Sequence, residues 1–209
     1  LTINGQASDS YVLSTSDVEI SSATEFSVTL NSDDILNVNG LLNKDGSSSD
    51  DSVTYNLVAA DNWMAGAAEN PNTSDASNGI IVSNSADPAI SAATYDVSTG
   101  ILVVAGSRFV KKSGVTNDLD LTKITLQGEA GGTHTLTTTD VEITDAASFS
   151  VTLNSADQSA VNVLLNKDGA LSDDNSTYNL NAAEDWLAGA AVSNTIADAT
   201  NGVSVSNAP

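Results

Sequence analysis

The stretch Asp140–Gly189 restates Asp17–Gly66 at a constant offset of 123 residues with no gap. The same register lays Ile124-Thr125-Leu126-Gln127-Gly128 over Leu1-Thr2-Ile3-Asn4-Gly5 and Asn201–Asn207 over Asn78–Asn84, and more than half of the first 86 positions are identical in the copy. A period this long does not suit a solenoid turn; it suits one small domain duplicated in tandem. Two sandwich-sized units are the expectation.

The 209 residues are 40% hydrophobic but only 4% aromatic, so the core has to be built from Val, Leu, Ile and Ala rather than large rings. Thr, Ser, Asn and Gly fill much of the remainder. β-Branched residues fit a pleated, half-buried surface, and Asn, Asp and Gly fit turns, which predicts a mostly β chain.

Alternating Phe26, Val28 and Leu30 predict a strand, and Leu1–Asn4, Tyr11–Ser14 and Asp17–Ile20 read as shorter ones. After Asn31 the period changes. Ser32, Asp33 and Asp34 offer a cap and first-turn acids, and Ile35, Val38, Leu41 and Leu42 recur at helical spacing until Gly46. In the copy, Ser155-Ala156-Asp157-Gln158 reads as a capping box, Val161, Leu164 and Leu165 as the stripe, and Gly169 as the terminator. One short helix per unit follows. A polar loop (Ser47–Ser52), a strand at Thr54–Leu57 and a closing strand at Gly79–Ser83 complete the module. Trp63 and Trp186 share one register slot among Ala and Gly, where a core plug fits better than a sugar-stacking ring.

Tyr95–Gly106 reads as strand, turn, strand, with the turn at Asp96–Gly100. Arg108, Lys111 and Lys112 follow it and hold half of the positive charge, suited either to a solvated loop or to an acidic neighbour. This segment, Pro88–Lys123, precedes the second copy, and nothing equivalent precedes Leu1. The expected division is 1–86, a sandwich repeat short of its first strands, and 87–209, a complete one. The segment can complete either neighbour, and an incomplete sandwich exposes unpaired edges that upstream sequence or a partner's strand has to cover. Head-to-tail contacts that do not close on themselves would propagate into a filament.

Six basic residues against 27 acidic ones leave a formal charge of −21, which repels nucleic acid and anionic lipid surfaces. No apolar run reaches membrane-spanning length, and no signal-peptide pattern stands at Leu1, so either targeting information is expected outside this segment or the segment is a processed piece. Such a charge serves simple solubility, or it collects cations, and the hard oxygen atoms of Asp and Asn are those calcium prefers. Each copy places Asn43, Asp45, Asp50 and Asp51, or Asn166, Asp168, Asp173 and Asp174, around a glycine turn, with the first Asp at a helix C-terminus where the dipole disfavours an anion. These are candidate Ca2+ ligands, although Lys44 and Lys167 offer a local counter-charge instead and the spacing is not that of an EF-hand. Asp118 and Asp120 form a second candidate cluster. Catalysis has little support: His134 is the only histidine, Tyr11 takes its place in the other copy, and no phosphate loop, zinc helix or nucleophile elbow is present. Cysteine is absent, which removes disulfides and thiolate metal sites.

Taken together, Ala93–Gly106, Asn117–Lys123, Leu164–Gly169, Thr177–Leu180 and Trp186 resemble the tandem repeats of giant bacterial surface and secreted proteins, including calcium-dependent adhesins. The resemblance covers the whole chain. It implies tandem immunoglobulin-like β-sandwiches, a secreted or cell-surface setting, a structural or adhesive role and bound calcium. Partners would be copies of the module head to tail, or, in the adhesive case, a surface glycan or protein. The chain lacks the glycine-aspartate nonapeptides of the secretion-linked calcium roll. Near-identity of the two copies favours an extender over a specialised tip.

Overall fold

The computed structural model describes residues 1–67 and 72–209. The chain divides into two units, Leu1–Ser85 and Ala86–Pro209, and it is mostly β.

The first unit contains β1 (Thr2–Asn4), β2 (Ser10–Val12), α1 (Ser32–Leu41), β3 (Asn56–Ala59) and β4 (Asp75–Gly79). Its four strands form one antiparallel sheet in the order β2-β1-β3-β4. Ile3, Val38 and Leu41 make a small buried cluster, against which Tyr11, Leu13, Leu30, Leu57 and Ile80 pack while remaining partly exposed.

The second unit contains β5 (Ala89–Asp96), β6 (Ile101–Ser107), β7 (Ile124–Gln127), β8 (Thr133–Thr135), β9 (Ser148–Thr152), α2 (Ser155–Leu164), β10 (Asn179–Ala182) and β11 (Asp198–Ser206). The strand order is β8-β7-β10-β11-β5-β6-β9. Its first four places repeat the first unit, and β5, β6 and β9 extend it. β11 changes partner along its length: Asn201 and Gly202 lie antiparallel to β10, and Val203–Ser206 run parallel to Ala93–Asp96 of β5. The β5–β6 hairpin turns where the sequence predicts. Asp96 Oδ1 accepts from Ser98 N and Thr99 N, and Gly100 takes φ +69°, a left-handed conformation that glycine enters without a Cβ penalty.

Each unit has its one short helix, but the cap lies one residue earlier than expected. Asn31 Oδ1 accepts from Asp34 N, and Asn154 Oδ1 accepts from Ala156 N and Asp157 N. The cap vacates Ser32 and Ser155, and the third helical residue is left to turn its carboxylate sideways rather than back along the chain. The helices end at Leu41 and Leu164, before Gly46 and Gly169, whose positive φ instead serves bridges to Val82 and Val205. Val38 and Leu41 of the predicted stripe face inward, but Ile35 is 38% exposed and Leu36 is buried in its place.

The largest departure concerns one sequence seen twice. Phe149–Thr152 lies in strand β9, whereas the identical stretch from Phe26 to Thr29 is not a strand. β9 exists because β6 pairs with it from Ile101↔Thr152 to Ala105↔Ser148. Among the described residues, the first unit holds no counterpart of β6. Asp17–Ile20, also expected as a strand, has no strand pairing either.

Candidate functional site

The loop carboxylates singled out as calcium ligands face separate donors. In the first unit Asp45 Oδ1 accepts from Ser85 N at 2.7 Å, Asp50 pairs with Lys44 Nζ at 2.8 Å, and Asp51 accepts from Ser49 Oγ and, at 2.7 Å, from Ala7 N. The copy repeats this. Asp168 accepts from Ala208 N, Asp173 stands 3.9 Å from Lys167, and Asp174 accepts from Ala130 N, Ser176 N and Ser172 Oγ. Those hydrogen bonds hold the Asp51 and Asp174 carboxyls below the ordinary carboxylate range. Asn166 Oδ1 meets Tyr178 Oη at 3.3 Å, and its counterpart Asn43 is buried in the first unit. In this arrangement the carboxylates tie separate loop segments together. Among the described residues, no three His, Cys, Asp or Glu side chains group as a metal ion requires.

A polar hub that the sequence reading missed braces each helix. Asp157 is fully buried and accepts from Thr137 N and Oγ1, Thr138 N and Oγ1, and Asn154 Nδ2, with His134 Nε2 at 2.9 Å. Asp34 does the same with Ser14, Thr15 and Tyr11. Burial alone would raise these carboxyls. The hydrogen bonds more than offset it, led by Thr138 and His134 in one unit and by Thr15 and Ser14 in the other, and hold both well below the usual value of 3.8. The recurring signal was a hydroxyl pair about twenty residues upstream of the acid.

Asp118 is perturbed the other way. It is fully buried, and burial raises its carboxyl to about 6; Lys112 N and Ile143 N, each donating at 2.6 Å, oppose that rise, and neighbouring Glu142 adds to it. Glu142 in turn accepts from Asn117 N. Asp120, the other member of that candidate cluster, caps the turn by accepting from Thr122 N and Oγ1. Phe109 and Val110 are buried between the basic residues Arg108 and Lys111, which anchors that stretch to the unit.

The feature that distinguishes the units is the margin where β5 and β6 would lie. In the second unit Tyr95, Leu102 and Val104 are fully buried against Phe149, Val151, Val203 and Val205, all nearly so. In the first unit the counterparts Phe26, Val28, Ile80 and Val82 are half-buried, and Ile20 is 48% exposed where Ile143 is inaccessible. Trp186 is completely enclosed, with Phe109 edge-on at 5.5 Å and its indole N–H on Ile196 O. Trp63 keeps the matching indole bond to Thr73 O, yet it is 39% exposed and leans on Phe26 at 5.9 Å. Chemically, this margin offers backbone that lies outside the named strands and an apolar face, the two components of strand recognition.

Comparison with family models, curated proteins and solved structures gave no match.

Proposed function

We propose that the chain is a pair of non-enzymatic structural repeats, sandwich-like modules of an extracellular bacterial fibre or surface protein whose work is reach and stiffness. The observation that carries the reading is the duplication of internal bracing. Asn31 and Asn154, Asp34 and Asp157, Asp51 and Asp174, and Tyr55 and Tyr178 make the same contacts at the same offset. The duplicated residues are those that hold a unit together, as expected of modules joined for length. The change of partner along β11 supports a two-layered, immunoglobulin-like arrangement in the second unit.

Calcium enters the proposal as a counter-ion to the charge of −21, with the exposed loop carboxylates Asp45, Asp168 and Asp173 as its first points of contact. Electron microscopy of tandem copies of the chain, in calcium and in EGTA, tests the reading. Extended particles of regular length that grow floppier in EGTA are expected. Compact particles insensitive to chelation would sink it. A second reading, a glycan- or protein-binding adhesin, draws on the half-exposed Trp63 beside Phe26. Specific retention on a glycan array that is lost on Trp63→Ala would favour that reading.

A further inference from the structure

We infer that the first unit carries a built acceptor slot for a β-hairpin of the Ala89–Ser107 sequence class, presented by another repeat. The inference rests on the repeat reading above and names the partner that such modules use.

The second unit displays the filled slot and so fixes the register of the empty one. There β5 runs parallel to Val203–Ser206 and β6 antiparallel to Ser148–Thr152. Carried back by the repeat offset, an incoming first strand would lie parallel to Ile80–Ser83, and an incoming second strand antiparallel to Glu25–Thr29. The first unit retains the receiving groups. Phe26, Val28, Leu30 and Val82 are identical to Phe149, Val151, Leu153 and Val205, and Ile80 stands for Val203. A polar receptor is retained as well. Tyr95 Oη donates to Asn162 Oδ1 at 2.7 Å, and the counterpart Asn39 stands exposed on α1. Every apolar position that the hairpin seals in one unit is more open in the other, which sets the occupant's chemistry: two amphipathic strands with Ala, Tyr, Leu and Val inward.

The test titrates a synthetic peptide of residues 86–112 into the full 209-residue chain, followed by calorimetry, tryptophan emission and hydrogen exchange. Expected are one peptide per chain, a blue shift from Trp63 that disappears in Trp63→Phe without loss of binding, and slowed exchange at Glu25–Leu30 and Ile80–Ser83. Leu102→Asp with Val104→Asp in the peptide should abolish binding, and Val28→Asp in the chain should weaken it at least tenfold. A second version, with residues 86–123 copied ahead of Leu1, should show the same emission shift and protection without added peptide. The inference is overturned if neither peptide nor fusion protects those two segments, if binding maps to the second unit alone, or if the slot closes by pairing with its like in a dimer that excludes the peptide. Peptide binding judges the slot and electron microscopy judges the fibre, so either can fail without the other.

Discussion

Tyr11 and His134 occupy one position in the two units, and each meets the buried aspartate of its own unit, Tyr11 Oη at 3.0 Å from Asp34 and His134 Nε2 at 2.9 Å from Asp157. A phenol and an imidazole are interchangeable there because the carboxylate is already held by two backbone amides and two hydroxyls. The aspartate is fixed and its outermost partner is free to vary.

Asp157→Asn should therefore cost far more than His134→Ala. The amide offers one acceptor in place of two and turns an N–H toward donors that are already committed, stranding buried groups at about 3 kcal/mol in total. Losing His134 removes one of several contacts at the hub's edge, about 1 kcal/mol. Urea denaturation followed by Trp186 emission separates the two.

The two perturbed carboxyls set opposite pH dependences. Asp157 is held below 3.8, so its contribution is present above that value and is lost as pH falls through the folded-state pKa. Asp118 is raised to about 6; relative to the unfolded chain its contribution is full below 3.8 and is lost as pH rises through about 6. The second unit should lose stability between about pH 4 and 6 on the alkaline side and again in strong acid. Glu142→Gln removes the neighbouring charge but not the burial that leads the rise, so it should lessen the upper slope only in part while leaving the acid limb unchanged. Denaturant midpoints at a series of pH values measure both.

Phe149→Ala and Phe26→Ala alter the same letter of the repeat in different surroundings. Phe149 is 4% exposed under β6, and its loss should cost about 4 kcal/mol. Phe26 is half-buried beside Trp63, and its loss should cost about 1 kcal/mol in this chain. Equal costs would contradict the account of the open margin.

Gly128→Ala should be disruptive although its backbone is extended. A Cβ there would stand 2.2 Å from the Leu164 carbonyl oxygen at the end of α2, so the helix end has to move. A cost of about 2 kcal/mol is expected. Gly5 faces Leu41 O in the same way, and Gly5→Ala should produce a matching loss in the first unit, read from separate denaturation transitions.

What could be read from the sequence follows the range of the forces. The β5–β6 hairpin and the two helices were legible because turn residues and apolar spacing act over a few positions. The strand at Phe26–Leu30 was misjudged because alternation says which side chains face inward, not whether a partner strand is present to pair with the backbone. The hub at Asp34 and Asp157 escaped because its donors lie about twenty residues upstream, and a serine or asparagine at a helix start hides which of several caps is used. The loop acids are close in sequence, yet Asp45 and Asp51 reach Ser85 and Ala7, on separate segments that spacing along the chain does not reveal.

The parallel run of β5 beside β11 joins the first strand of the second unit to its last. Tension applied at Ala86 and Pro209 would drag these two neighbours past each other lengthwise, loading all of their shared hydrogen bonds together instead of peeling them singly. A link built this way gives abruptly and at high force, which suits a tether.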